Sequence, residues 1–395
     1  MAKKSRASKQ RAAAAAGPSN GQSNGEPEVL RPAAEHKFGE ELDYLASVDQ
    51  GNRPFTWRLS PQMVRTFVLG STARDKLDRT VDQKWFGHAS LVEKAIVTLA
   101  SDRGLLLIGD PGTGKSWLAE LLAAAICGDS THVVQGTAGT TEDQIKYSWN
   151  VAMVIAAGQS HDSMIPSPIM TAMRLGQLGR FEELTRCTSD VQDAMISILS
   201  EKYISVPELK GDNTVFARPG FNIIATANSR DRGVNDLSSA LKRRFNFVHI
   251  PVVTNKRAEK QIVMFRVSDL MKRNQLEVKV PASLLDVLLQ TFADLRKASA
   301  AASGDDQRLE SALSTAEQIG VLEDAILHSQ FFGEAALEPE AAARSLVGTL
   351  VRRIPEDVSV MNKFWHAVVE KHARDKKGDW TKFLEGGKEA LRSLK

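Results

Sequence analysis

An eight-residue segment constrains this chain more than any other part of its sequence. Gly109-Asp-Pro-Gly-Thr-Gly-Lys-Ser116 fits the pattern G-x-x-x-x-G-K-[ST]. The buried-type strand Leu105–Ile108 leads into it and the helical run Ser116–Cys127 leaves it. Its glycines would let successive backbone N–H groups face phosphate oxygens, and the positive end of the following helix would add to the attraction. We therefore predict a nucleotide-binding site, and its members in this segment are Gly109, Asp110, Pro111, Gly112, Thr113, Gly114, Lys115, Ser116 and Trp117.

Two side chains of this segment have specific expected roles. Lys115 would pair with β- and γ-phosphate oxygens, and the Ser116 hydroxyl would ligate Mg²⁺.

Short strand patterns alternate with helical patterns around this loop. Such alternation predicts an α/β domain with a parallel sheet flanked by helices. The predicted strands are Leu105–Ile108, His132–Gln135, Leu178–Phe181, Phe221–Ala225 and Phe245–Ile250. We also predict a helix at Ser189–Glu201, and a hairpin from Tyr203–Val206 and Thr214–Ala217.

Composition and pattern divide the chain into five parts. The α/β domain is expected to be followed by an all-helical lid and to be preceded by a small helical unit. The parts are a disordered basic tail at 1–36, an N-terminal helical extension at 37–83, the nucleotide-binding domain at 84–254, the helical lid at 255–352 and a C-terminal helical extension at 353–395.

The charge distribution bears on possible partners. The chain has a formal net charge of +3, and residues 1–25 carry five cations and no acid, so residues 26–395 sum to −2. A body without net positive charge makes nucleic acid an unlikely partner. No apolar stretch approaches the roughly 20 residues that a membrane helix needs. Two cysteines and scattered histidines offer no disulfide framework and no zinc spacing, and we expect a cytoplasmic protein.

The order of motifs over about residues 85–350 resembles the AAA+ ATPases, and within them the MoxR-like group. Phe181-Glu-Glu-Leu-Thr-Arg186 is similar to the family's Walker B segment. The resemblance implies that Glu182 holds the Mg²⁺ shell and that Glu183 polarises the attacking water. An isolated acidic pair at a helix start would more often be a surface feature, but its place between the phosphate loop and Asn228 favours the site.

Three further segments match the family in order. Phe86-Gly87-His88 resembles the segment that lines the adenine pocket, although Phe86 could equally be a core residue. Asn228 ends a buried strand, as the family's first sensor does. Leu237–Phe245 resembles the segment whose arginine reaches the neighbouring subunit's nucleotide, with Arg244 the first choice and Arg243 the second.

Two positions depart from the family pattern. Glu182 stands where aspartate is usual, and the extra methylene moves its carboxylate about 1.5 Å further out. Glu317 stands where the lid usually carries a second-sensor arginine, so that sensor is either missing or replaced by Arg308 or another residue.

Lys146, Tyr147 and Trp149 are candidates for a loop that faces the central pore of a ring. Packing is the commoner role of aromatic residues there.

The resemblance implies a homo-oligomer, expected to be a hexameric ring, that hydrolyses Mg-ATP to remodel or activate a protein partner in a chaperone-like way. In this family the partner often bears a von Willebrand A domain. Two alternatives stay open: a nucleotide-dependent assembly switch with little hydrolysis, and a magnesium-chelatase-like motor subunit. A nucleic-acid motor is disfavoured by the acidic body.

Overall fold

The computed structural model describes residues 29–211, 213–228, 236–253, 255–302, 309, 313–333 and 336–394. The strands are β1 (Gly104–Gly109), β2 (Val133–Gln135), β3 (Tyr147–Trp149), β4 (Met164–Pro166), β5 (Leu178–Glu182), β6 (Tyr203–Ser205), β7 (Thr214–Phe216), β8 (Asn222–Asn228) and β9 (Phe245–His249).

The helices fall before, between and after these strands. They are α1 (Ala34–Lys37), α2 (Gly39–Val48), α3 (Pro61–Leu69), α4 (Ala89–Leu99), α5 (Lys115–Cys127), α6 (Val151–Ala157), α7 (Pro168–Leu175), α8 (Ser189–Glu201), α9 (Ser239–Lys242), α10 (Lys256–Arg273), α11 (Ala282–Ala301), α12 (Thr315–Phe332), α13 (Pro339–Leu350), α14 (Glu356–Phe364), α15 (Glu370–Lys376) and α16 (Asp379–Ser393).

Five of the described strands form one parallel sheet in the order β2-β5-β8-β1-β9. This confirms the predicted α/β fold, and each of the five predicted strands overlaps one strand of this sheet. All seven residues of β8 are buried, as expected for a central parallel strand covered on both faces. The register pairs Gly109 with Asn228 and Gln135 with Glu182, so the carboxyl ends of four strands meet at one edge.

Two antiparallel hairpins lie outside this sheet. One joins β6 to β7, as predicted, and the other joins β3 to β4. The helix predicted at Ser189–Glu201 is α8, with the same bounds.

The N-terminal helices are part of the nucleotide-binding domain's packing. Residues of α2 and α3, such as Leu42 and Phe67, share one hydrophobic core with α4, α5 and one face of the sheet. Helix α1 begins at Ala34, within the tail predicted at 1–36, because the Ala34 methyl is fully buried in this core. Residues 1–28 of the predicted tail lie outside the described residues.

The C-terminal helices surround a single second core. Buried residues from α10 through α16 belong to one cluster, so the expected boundary at 352/353 does not separate two cores. Trp365 and Phe383, both fully buried, stack with their ring centroids 5.5 Å apart. The segment predicted as a C-terminal extension therefore completes the fold of the lid.

In the described part of the chain, none of the helices has the length and apolar character needed to cross a membrane.

Candidate functional site

A cleft of about 380 Å³ lies at the carboxyl edge of the sheet, between the α/β domain and the helical lid. The loop between β1 and α5 forms its floor, with Pro111 to Trp117 among the lining residues. Helices α10 and α12 of the lid form the opposite wall. Both domains therefore contribute to the site.

The loop has the backbone that its glycines were predicted to allow. Gly112 has φ +74°, in the left-handed region that favours glycine. A Cβ at Gly112 would lie 2.4 Å from Ser314 Oγ at the start of α12. Glycine at this position therefore lets the lid pack directly on the phosphate loop.

Lys115 is the first residue of α5 and is buried. Its Nζ donates to the carbonyl oxygens of Gly109 and Asp110, both at 2.9 Å, and to Asn228 Oδ1 at 2.8 Å. The ammonium group is thus held inside the loop, beside the N-terminal end of a helix, where anions are favoured.

Ser116 and Glu182 come together as the acidic motif requires. The Ser116 hydroxyl donates to Glu182 Oε2 at 2.6 Å, and the Thr226 hydroxyl donates to the same oxygen at 2.7 Å. Hydroxyl and carboxylate oxygens are the hard ligands that Mg²⁺ prefers. The donor set fits a magnesium ion bound with a nucleotide.

Glu183 follows directly and adopts a left-handed backbone, with φ +57°. Its amide donates to Thr226 Oγ1 at 3.0 Å, and its Oε2 accepts from Asn228 Nδ2 at 2.8 Å. Arg186 Nε lies 3.6 Å from the same carboxylate oxygen. A non-glycine residue in the left-handed region is strained. With this backbone conformation Glu183 lines the cleft, whereas Glu182 does not.

Two members of this network were not singled out from the sequence. Arg180 donates to Glu182 Oε1 at 2.7 Å, and Thr226 binds both acidic residues. The sequence offered one indication of their roles, which is spacing along the strands. Arg180 is two residues before Glu182 and Thr226 is two residues before Asn228, and side chains two residues apart on a strand lie on the same face.

Aromatic residues line part of the cleft. Phe86 lines it, with its ring centroid 5.9 Å from that of Phe265 on α10. Trp117 also lines it, and the guanidinium of Arg266 lies 5.7 Å from its ring centroid. Gly87 does not line the cleft, and a Cβ there would lie 2.2 Å from the ring of Trp85. Its role is close packing on that ring, which itself lines the cleft.

Arg243 and Arg244 lie away from this cleft. Arg244 Nε donates to Ser200 Oγ at 2.8 Å and its Nη1 to the Ala240 carbonyl at 2.9 Å. Arg243 is exposed. Neither residue lines the nucleotide cleft of its own chain.

Glu317 forms hydrogen bonds and an ion pair at the start of α12. Its carboxylate accepts the Ser314 amide at 2.7 Å in a capping box and lies 3.0 Å from the Arg352 guanidinium. Arg308, proposed as a substitute for the second sensor, lies outside the described residues.

The predicted pore-loop side chains are engaged with neighbouring residues. The Tyr147 hydroxyl donates to Glu208 Oε2 at 2.8 Å, and the Tyr147 ring packs edge-on against Trp149. Burial, and then this bond to Glu208, raise the pKa of Tyr147. Lys146 pairs with Glu142 one turn earlier. These contacts favour the packing interpretation.

Comparison with known proteins identifies the family. The chain is 39% identical over 358 residues to the uncharacterised protein YehL of Escherichia coli (strain K12), covering 90% of this chain and 96% of YehL. Residues 104–245 match the AAA domain of the dynein-related subfamily, and residues 257–391 match the YehL-like AAA+ ATPase C-terminal domain. The chain belongs to the YehL-like AAA+ ATPases.

The second match runs across the predicted boundary at 352/353, in agreement with the single C-terminal core. A more distant relative, the uncharacterised protein YojN of Bacillus subtilis (strain 168), is 25% identical over 170 residues, which is 43% of this chain and 54% of YojN. NtrX from Brucella abortus, in a crystal structure with ADP, has a TM-score of 0.47 at 13% identity, covering 77% of this chain and 64% of NtrX. That similarity is too low to support an inference about function.

Proposed function

We propose that this AAA+ ATPase hydrolyses Mg-ATP in an oligomeric ring and uses the energy to remodel or activate a protein partner. The observation that carries the proposal is a network of hydrogen bonds in which Asn228 joins Lys115 to Glu183 and Ser116 is bonded to Glu182. These residue types can bind phosphate, hold magnesium and orient water, which are the tasks of phosphoryl transfer to water. All of them except Glu182 line the cleft, and Glu182 is bonded to Ser116, which does.

Each residue then has one task in the reaction. Lys115 and the N–H groups of the loop bind the β- and γ-phosphates. Asn228 and Glu183, which are already hydrogen-bonded to each other, orient a water in line with the β–γ bond. As the water oxygen bonds to the γ-phosphorus, the bond from that phosphorus to the β–γ bridging oxygen breaks, and the Glu183 carboxylate accepts the water's proton.

Ser116 and Glu182 would hold magnesium. When bound there, the ion neutralises charge on the β- and γ-phosphate oxygens.

The oligomeric part of the proposal rests on Arg244. Its location outside its own cleft suits an arginine that completes the site of a neighbouring subunit, and a guanidinium can bridge two phosphate oxygens. A hexameric ring, with a partner that bears a von Willebrand A domain, is the form that the family resemblance suggests.

A second candidate is a nucleotide-dependent assembly switch with little turnover. The observation in its favour is Glu317, which caps α12 and pairs with Arg352 where a second sensor would be cationic.

Steady-state ATP hydrolysis over a range of protein concentrations tests the proposal. We expect specific activity to rise with concentration in the wild type, and Glu183→Gln to bind ATP but lose at least about a hundredfold in rate. Arg244→Ala should also be inactive, while an equimolar mixture of Arg244→Ala and Glu183→Gln should regain partial activity, because some interfaces then contain both intact groups. Wild-type hydrolysis no faster than that of Glu183→Gln, with nucleotide-dependent assembly, would instead support the switch.

A further inference from the structure

We propose that Arg180 is a positioning residue for the reaction, because it fixes the carboxylate of Glu182 against Ser116 and so allows a glutamate to serve where the shorter aspartate is usual. This inference rests on the proposed Mg-ATP hydrolysis.

Both oxygens of the Glu182 carboxylate are held. Arg180 Nη2 donates to Oε1 at 2.7 Å, while Oε2 accepts from Ser116 at 2.6 Å and Thr226 at 2.7 Å. Glutamate has one more rotatable bond than aspartate, so an unrestrained carboxylate could occupy several positions. The charge-assisted bond from Arg180 to Oε1 fixes the carboxylate, so that Oε2 points towards Ser116.

Arg180 is itself anchored at two other points. Its Nη1 donates to the Ser130 carbonyl oxygen at 3.0 Å, in the loop after α5. Its Nη2 also lies 3.3 Å from the carbonyl oxygen of Ser116, in the first turn of α5. The guanidinium therefore connects the strand that carries Glu182 with the helix that carries the phosphate loop's serine, and only a planar group with several donors can reach these acceptors together.

Burial makes a purely stabilising role a poor explanation. The side chains of Arg180 and Glu182 are only 9% and 7% exposed, inside a central strand whose five residues are all buried. A buried ion pair often contributes no more to stability than a well-packed apolar pair of similar volume. The pair is better explained by what it does to the geometry of Glu182 beside the phosphate loop.

Two effects on metal binding oppose each other. The positive charge of Arg180 lowers the attraction of Glu182 for a cation, whereas the fixed position of the carboxylate raises it. We expect the positioning effect to dominate, so loss of Arg180 should weaken metal binding.

The experiment measures Mn²⁺ binding to the full chain saturated with ADP, by electron paramagnetic resonance of free Mn²⁺. Four proteins are compared: wild type, Arg180→Met, Glu182→Gln and the double variant. We expect Arg180→Met to weaken Mn²⁺ binding about tenfold, the usual lower limit for loss of a group that orients a ligand, and Glu182→Gln, which removes the carboxylate itself, to weaken it at least as much. The double variant should bind no more weakly than Glu182→Gln alone, because Arg180 acts only through Glu182.

Two further measurements separate positioning from folding. Nucleotide affinity in the presence of a chelator should be similar in all four proteins, and the free energy of unfolding of the double variant should be close to that of the wild type, because the double variant removes both buried charges together. Arg180→Lys should recover part of the Mn²⁺ affinity, and the ATPase rate of Arg180→Met should recover at high Mg²⁺ with little change in KM for ATP.

The possible results are distinct. Unchanged or tighter Mn²⁺ binding in Arg180→Met overturns the inference, and so does a double variant whose affinity is lower than that of Glu182→Gln. If Arg180→Met does not fold, Arg180→Lys decides instead, because lysine keeps the positive charge but lacks the planar set of donors: Mn²⁺ binding as tight as in the wild type would then overturn the inference. A wild type that binds no nucleotide contradicts the proposed function itself, which is a different failure.

Discussion

Replacing Lys84 with methionine should loosen the N-terminal helices from the wall of the nucleotide cleft. The Lys84 side chain is 1% exposed and pairs with Glu41 of α2. Its Nζ donates to the carbonyl oxygens of Phe67 at 3.1 Å and Asp82 at 2.9 Å. Lys84 also receives the Trp117 indole N–H on its own carbonyl oxygen, at 3.0 Å, so it connects the extension to a residue that lines the cleft.

The expected loss of stability depends on which groups the Lys84→Met substitution leaves without a partner. Methionine fills the apolar space beside the rings of Phe38 and Phe67, which lie 5.1 and 4.5 Å from Nζ. The carboxylate of Glu41 loses its cation. Removing one partner of a buried pair costs about 3–5 kcal/mol. The Glu41 side chain is 14% exposed and can be partly hydrated, so we expect the lower figure.

A loss of about 3 kcal/mol corresponds to a fall in Tm of roughly 6–12 °C for a unit of 150–250 residues. Denaturant unfolding, followed by tryptophan fluorescence, measures the free energy directly. The matched control is Arg65→Met, which breaks the Arg65–Glu93 pair between α3 and α4, where both side chains are more exposed. That control should cost less than about 1 kcal/mol. The double variant Lys84→Met, Glu41→Gln should recover most of the loss, and a Lys84→Met effect no larger than the control would refute this reasoning.

Two further predictions concern the lid. The Asp357 carboxylate is fully buried and accepts both the Arg353 amide, at 3.0 Å, and the Arg353 guanidinium, so Asp357→Asn should cost about 1–3 kcal/mol at neutral pH. Burial alone would raise the pKa of Asp357, but these bonds outweigh it and lower the pKa below 3.8. The stabilisation is therefore complete above the unfolded pKa and lost as pH falls through the folded value. In acid unfolding the difference between the two proteins should begin to shrink below about pH 4 and disappear only below the folded pKa; a constant difference would contradict this. Gly387→Ala would place a Cβ 2.0 Å from Trp365 Cζ2, so it should destabilise the lid by roughly 1–3 kcal/mol in thermal unfolding, and an unchanged Tm would show that the Trp365 packing is not tight.

Much of the sheet could be predicted because its strands are short apolar runs between helical patterns. β8 illustrates this, since a continuous buried run that ends in Asn228 is typical of a central parallel strand. The proximity of Lys115, Ser116, Glu182, Glu183 and Asn228 follows from the same topology, in which parallel strands end at one edge.

Other features depend on contacts that a single sequence does not display. Arginine is an unusual residue in a buried strand, yet Arg180 is buried in β5, where Glu182 lies two residues away on the same face and accepts its hydrogen bond. The lid's contribution to the cleft, such as Arg266, comes from residues more than a hundred positions after the loop. The shared core of the C-terminal helices depends on Trp365 meeting Phe383 across a turn, and no helical periodicity reveals that contact.

Equilibrium binding of Mg-ATP to the full chain, compared with Lys115→Ala, tests the central claim most directly. Lys115 is buried in the loop, lines the cleft and contributes the positive charge that we expect to contact the β- and γ-phosphates. We expect the wild type to bind one nucleotide per chain and Lys115→Ala to bind at least about tenfold more weakly, since loss of a charge-assisted contact costs roughly 1.5–3 kcal/mol. Equal affinities in the two folded proteins would show that the nucleotide does not occupy this cleft.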